Sequence, residues 1–499
     1  MTARAMLNMA NHNNPLRMAL DRFNRNPLIA ALPDRSSPIE LASKLRFCPI
    51  TPENLQGIPV SDRITLLKIY KNTFVPTTQS LDICLSLQKM ILDGYAQRDP
   101  NLVASKKFIY SSGQLKGLNL AETEWWPSFA SGMVIDGITG LGKSQIIDRF
   151  LSLYPQTVEH QHNEECGWRS LKQLCWLKIH MPSDGSRGGF LEGAFRALDQ
   201  ALGTNYTQQY SSRSWSVEKL LVVFLHLLSV HRCGLLVIEE AQEKNLSQSP
   251  FSREFVTFFL RLLNWGTPTV LIGNPLAFGN LRSFSQDVDR FSDGGWHHLL
   301  PTLDPASEEW IEDWMPGLWF PTLLDHPDAD YTPCSADPID QTLGGFVWKR
   351  TGGVPRYIAR LRAEVQEAAL RMGLQQVTPA LVDAVYRSSP KMIEVHPRID
   401  ALVHKDWHAL RRYDDIPSQF FRTLWVPPSG GDEANHNSPD NTTRERTNAA
   451  RQRSANRKPI ATKSNPRPSA NLSDAEIKLK DFQQDMIQRL AESAGLKPG

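Results

Sequence analysis

The chain has 499 residues, of which 41% are apolar, and a formal net charge of +2. That length predicts two or three domains with ample core, and the near-balanced charge excludes a partner chosen by bulk electrostatics alone. Six cysteines at 48, 84, 166, 175, 233 and 334 form no CxxC pair, which argues against a disulfide framework and for free thiols in a reducing compartment.

Residues 1–128 read as a helical N-terminal extension. The opening MTARAMLNMANHNN has no sustained apolar stretch of the secretory kind. No run in the chain approaches the ~20 apolar residues of a membrane span, so the expectation is a cytoplasmic protein with no membrane partner. Further on, SLDICLSLQKMILDGYAQR (80–98) puts Leu81, Cys84, Leu85, Leu87, Met90, Ile91 and Tyr95 on one helical face, with Ser80 as its cap.

Between 129 and 334 the pattern changes. SGMVIDG, LCWLKIH, GLLVIEE and TPTVLIGN are short apolar runs rich in Val, Ile and Leu. They alternate with helical segments such as FLEGAFRALDQALG and EKLLVVFLHLLSVH. Such alternation predicts an α/β domain, a parallel sheet sandwiched by helices. Within it, EHQHNEEC gathers His160, His162 and Cys166 without zinc-site spacing and reads as a solvated loop.

Residues 335–395 read as a small all-helical lobe, and 396–426 as helices that follow it. From 427 to 472 large apolar residues almost vanish, which predicts disorder. The second half of that tail is basic: Arg444, Arg446, Arg451, Arg453, Arg457, Lys458, Lys463 and Arg467 stand against one acid, Glu445. In 473–499, Ser473 and Glu476 form a capping box, and Leu479, Phe482, Met486 and Leu490 make one stripe. An amphipathic helix on a tether predicts docking to a partner.

The chemistry begins at GITGLGKS: Gly137, Ile138, Thr139, Gly140, Leu141, Gly142, Lys143 and Ser144, followed by Gln145. It matches GxxxxGK[ST] in full, with a strand before and a helix after. The glycines let backbone N–H groups close around phosphates, Lys143 neutralises them, and the Ser144 hydroxyl ligands magnesium. ATP and Mg²⁺ are the expected cofactors. LLVIEEAQ (235–242) is then the second acidic motif, on a strand expected to lie beside the P-loop strand. Glu239 would hold the metal, a place usually taken by Asp, and Glu240 would polarise the attacking water. Asn274, ending TPTVLIGN, is a candidate for contact with the γ-phosphate or that water. Arg356, in TGGVPRYIARL, is a cation from the helical lobe that can reach the γ-phosphate. Arg290, in DVDRFSDGG, is the candidate arginine finger acting on a neighbouring subunit's nucleotide, with Arg282 as its competitor.

This ordered set resembles AAA+ ATPases. LLVIEEAQ is similar to the LLVIDEAQ of the TnsC/TniB group of bacterial transposition regulators. Further likeness to that group lies in LKIHMPSDGSRGGFLEGAFRALDQALGTNY (177–206), NTFVPTTQSLDICLSLQKMILDGYAQRDP (72–100) and the stretch DALVHKDWHALRRYDDI from Asp400. The resemblance spans about 45–420. It implies an ATPase that assembles as rings or helical filaments on duplex DNA, linking a target-selection protein to the transposase and its endonuclease subunit. DNA would be held by its backbone, with Arg169, Lys172, Lys178 and Arg187 as the candidate contacts. The departure is Glu239 for Asp, which implies slow, partner-dependent turnover. Two other readings of the same machinery are an AAA+ motor or loader acting on nucleic acid and a STAND-type nucleotide switch facing proteins.

Overall fold

The computed structural model describes residues 15–114, 130–210, 215–241, 252–279, 281–283, 285–333 and 335–426. The predicted basic tail (427–472) and docking helix (473–499) lie outside the described residues, as does Gln242. Contacts divide the chain into two units, Met1–Ser418 and Gln419–Gly499; the sheet and the helical lobe both belong to the first.

The long helix predicted near the N-terminus is α1 (Thr78–Gln97), and a second, α2, runs Val103–Ser112. The cap of α1 is Thr77 and not Ser80: the Thr77 hydroxyl accepts from the Ser80 amide, and Ser80 Oγ accepts from the Thr77 amide. Its buried face adds Ile83 and leaves Leu81 and Leu85 half-exposed.

Seven strands follow among the described residues. They are β1 (Gly132–Gly137), β2 (Thr157–His160), β3 (Leu171–Leu174), β4 (Trp176–His180), β5 (Leu235–Ala241), β6 (Thr269–Gly273) and β7 (Trp296–Leu299). Five of them form a parallel sheet in the order β4-β5-β6-β1-β7. Helices α3 (Lys143–Leu151), α4 (Arg187–Leu202), α5 (Val217–Val230), α6 (Ser252–Asn264) and α7 (Ser285–Phe291) lie between the strands in sequence. The central strands β1 and β6 are buried along their whole length, as strands covered on both faces must be. The edge strand β4 alternates between buried and partly exposed positions.

Two expectations are corrected here. The acidic strand β5 does not lie beside the P-loop strand; β6 is inserted between them. Apolar runs announce strands but carry no information about their lateral order. The EHQHNEEC stretch is not a plain loop either, because His160 ends β2 of a β2–β3 hairpin and its Nε2 lies 2.6 Å from Gln173 Oε1.

Beyond β7 the chain makes a π-helical stretch, Glu309–Trp319, and then the helical lobe, with α8 (Pro355–Arg371) and α9 (Pro379–Ser388), followed by α10 (His396–Val403). The fully buried Arg362 of α8 anchors the lobe. Its guanidinium donates to both carboxylate oxygens of Asp328 at 2.7 and 2.9 Å and to the Pro321 carbonyl, and it stacks on Trp319. Among the described residues no helix is long and apolar enough to cross a membrane.

Candidate active site

The P-loop joins β1 to α3. Gly140 (φ 105°) and Gly142 (φ 86°) adopt the left-handed conformation that side chains disfavour, which turns the loop around a concave backbone. A Cβ on Gly140 would lie 3.1 Å from Val354 and 3.3 Å from Arg356. The loop is thus pressed against the start of α8. The Arg356 amide donates to the Gly140 carbonyl at 3.2 Å. Just before α8, Gly353 packs on Thr302 so closely that a Cβ there would meet the Thr302 carbonyl at 2.0 Å.

Lys143 donates to the carbonyls of Gly137 (2.6 Å) and Ile138 (3.1 Å). Burial pushes its ammonium down to about 8; Arg356 and Arg398 add to that push, and Asp136 and Asp415 oppose it. Such a cation gains from a phosphate beside it. The loop's base is fixed by Asp136, 1% exposed, which takes hydrogen bonds from Trp296 Nε1 (2.9 Å) and Arg282 (3.3 Å) and lies 2.5 Å from His298 Nδ1. Arg282 also stacks on Trp296, so the competitor to Arg290 is engaged at the base of its own P-loop. Arg290 lies in α7, and its carbonyl borders Gly132 at the start of β1.

The cleft above the P-loop is lined by Thr139, Gly140, Leu141, Gly142, Lys143, Ser144 and Gln145, and by Glu240, Asn274 and Arg356. Four separate stretches of sequence therefore meet there. Gln145 donates to the carbonyl of Thr73 at 2.8 Å, and Arg149 of α3 to that of Leu45 at 3.1 Å, so the N-terminal extension braces the P-loop helix. Ile138 is buried beneath the loop.

The two acids diverge. Glu240 is exposed and left-handed at φ 60°, where the β5–β6 register slips between Ile238 and Ala241. A non-glycine residue held there is strained, and such strain clusters at functional sites. Glu239 points the other way: it is 2% exposed, with Oε2 2.9 Å from Lys178 Nζ, and Oε1 is buried without a hydrogen-bond partner. Lys178 also reaches Asp148 of α3 at 2.5 Å. A buried carboxylate oxygen with no hydrogen-bond partner is the hard oxygen donor that magnesium takes, and Lys178 ties Glu239 to Asp148 of the P-loop helix.

Of the four cations expected on DNA, Lys178 is therefore redirected: its ammonium is held between Glu239 and Asp148 of the P-loop helix. Lys172 donates to the Leu202 carbonyl at the end of α4, Arg187 pairs with Glu218 at 3.1 Å, and Arg169 is exposed.

Asn274 Oδ1 caps the following turn by accepting from the Leu276 amide, while Nδ2 donates to the Asp415 carbonyl at 2.5 Å. Sequence reasoning missed Asp415, in the cleft, and Arg398, which donates to the Thr139 carbonyl at 3.0 Å. Both lie in the stretch that follows the lobe; Asp415 falls inside DALVHKDWHALRRYDDI, whose likeness assigns it no role, and no motif marks Arg398.

Residues 130–281 match the family model described as AAA domain. No curated protein gives a significant match. Among solved structures, Aeropyrum pernix ORC2 is 13% identical with a TM-score of 0.33, covering 57% of this chain and 68% of that one. Cdc6p from Pyrobaculum aerophilum is 14% identical with a TM-score of 0.33, covering 56% and 68%. The Thermotoga maritima RuvB Holliday junction branch migration motor is 13% identical with a TM-score of 0.27, covering 57% and 66%. Likenesses this distant carry no functional argument. The family match, the inserted β6 and the P-loop cleft converge: the chain carries an AAA-type P-loop ATPase domain.

Proposed function

We propose that the chain is an ATP-dependent, DNA-binding regulator of transposition of the TnsC type. It assembles on duplex DNA as a ring or helical filament and links a target-selection protein to the transposase and its endonuclease subunit. Support comes from the AAA-type domain, from the sequence resemblance over about 45–420, and from the position of Arg290. That residue borders the start of β1, whereas the P-loop leaves its end. Five residues of strand, at ~3.3 Å each, separate the two by about 16 Å. In this reading Arg290 serves a neighbour's nucleotide and not its own, and the complete site needs a second subunit.

In this reading the P-loop amides and Lys143 hold the phosphates, and the Ser144 hydroxyl and Glu239 Oε1 face the metal's coordination shell. Magnesium, when bound, supplies charge neutralisation between the terminal phosphates. Glu240 accepts a hydrogen bond from the attacking water and orients it. Asn274 and Arg356 contact the γ-phosphate, and Arg290 stabilises transition-state charge in trans. Arg169, Lys172 and Arg187 grip the DNA backbone. The segments 427–472 and 473–499 add a basic tether and a docking helix for the transposition partners.

Mixed-subunit assays test this. Arg290→Ala and Glu240→Gln should each be inactive alone in DNA-stimulated ATPase. A mixture should regain a fraction of the wild-type rate, because an intact finger then meets an intact site across mixed interfaces. A mixture as dead as either parent would refute action in trans.

A further inference from the structure

Three contacts bring the stretch that follows the helical lobe onto the P-loop. Arg398, in the first turn of α10, donates to the Thr139 carbonyl at 3.0 Å. Its Nε is buried and has no hydrogen-bond partner. Asp415 brings its carboxylate within 3.5 Å of the Thr139 hydroxyl, and its carbonyl takes the side-chain amide of Asn274 at 2.5 Å. Asp415 also lines the same cleft as Lys143 and Ser144. The two residues carry opposite charge and meet the P-loop at the same residue, Thr139.

We propose that Arg398 and Asp415 discriminate the triphosphate from the diphosphate. Arg398 is a phosphate-directed cation. Asp415 is a competing anion whose main-chain carbonyl holds Asn274 until the outermost phosphate displaces it. This rests on the ATP-binding reading of the P-loop and deepens it.

The physical logic is short. Asn274 Oδ1 accepts from the turn it caps, and one of the two Nδ2 hydrogens is given to the Asp415 carbonyl, which fixes where the amide points. A γ-phosphate arriving beside Thr139 brings negative charge toward the Asp415 carboxylate, and like charges at such range repel. The arrival therefore favours withdrawal of Asp415, which releases the Asn274 amide to the phosphate. Arg398 has an unused buried N–H and a charge of the right sign to gain from the same event. The stretch after the lobe then occupies one place without the γ-phosphate and another with it. Nucleotide state is converted into a displacement of the segment leading out of this unit. A diphosphate lacks the group that meets Asp415 and leaves the contact in place.

The test is equilibrium binding of fluorescent ATP and ADP analogues to the full chain at low and high salt, without DNA. Asp415→Asn keeps the size of the side chain and removes its charge. It should tighten ATP binding by about fivefold and leave ADP within about twofold, with the gain shrinking as salt rises. Arg398→Gln should act oppositely, weakening ATP more than ADP. Asp415 is exposed, so its variant remains informative if Arg398→Gln melts early. Weaker ATP binding by Asp415→Asn would overturn the proposal and make Asp415 a nucleotide ligand. Equal effects of either variant on ATP and ADP would also overturn it. Lys143→Ala is the separate control: if it binds both nucleotides as the wild type does, the P-loop reading itself fails, whatever Asp415 does.

Discussion

Replacing Lys178 by methionine isolates a buried ion pair in the site. Lys178 Nζ lies 2.9 Å from Glu239 Oε2, and the two side chains are 20% and 3% exposed. At an effective dielectric of ~20, that separation corresponds to about 6 kcal/mol of attraction. The lysine regains part of this as hydration when the chain unfolds, and Asp148, at 57% exposed, is rehydrated without loss. What remains is a carboxylate stranded in the interior, with one oxygen already unpartnered. Breaking such a pair from one side costs about 3–5 kcal/mol. Taking the low end, melting should fall by roughly 3–4 °C, because the unit that holds the pair spans Met1–Ser418. The double variant Lys178→Met/Glu239→Gln removes the stranded charge and should recover most of the loss. Thermal melts of the wild type, both singles and the double close the cycle. A loss below about 1 kcal/mol in Lys178→Met, or a double no more stable than that single, would show that Glu239 is hydrated and that the pairing is incidental.

The depressed Lys143 ammonium makes nucleotide binding proton-linked. Between its folded value of about 8 and the ordinary lysine value, the unfolded chain binds more protons than the folded one. The nucleotide-free protein should therefore gain stability from this group as pH rises from about 8 toward 10.5. ATP should reverse the depression, so calorimetry in buffers of different ionisation enthalpy should read proton uptake near pH 8 and almost none near about pH 6.5; no uptake at pH 8 would contradict the burial of that charge. Glu240→Gln should leave ATP-dependent assembly intact and slow disassembly at least about tenfold, read by light scattering after ATP is removed. Unchanged disassembly would take Glu240 out of the chemistry. Arg362→Leu should destabilise the helical lobe by about 3 kcal/mol, because Asp328 loses both of its hydrogen bonds from Arg362. Limited proteolysis confined to 335–418 would report it, and an unchanged digestion pattern would count against that anchor.

Much of the core was legible because its signals are local. Continuous apolar runs marked four of the five parallel strands, and the glycine spacing placed the P-loop between β1 and α3. The fifth, β7, was missed. Its sequence WHHL is not an apolar run, and Trp296 and His298 face Asp136. The position of β6 was also invisible, since lateral order depends on crossovers and not on any strand's own composition. The site was legible only in part for a related reason. Lys178 reads as a free cation in LKIH, and only strand pairing brings it to Glu239, one neighbour over in β5. Arg398 and Asp415 lie more than 250 residues from Thr139, and neither has a local pattern that points to phosphate. Their contact with the P-loop is a tertiary fact.

The most direct measurement of the central claim is the ATPase rate with and without duplex DNA, with sedimentation under the same conditions. The expected result is slow turnover alone, stimulation by DNA of any sequence, and large assemblies that need both ATP and Lys143. A rate indifferent to DNA, with no ATP-dependent assembly, would contradict it and leave an AAA-type domain that faces proteins instead.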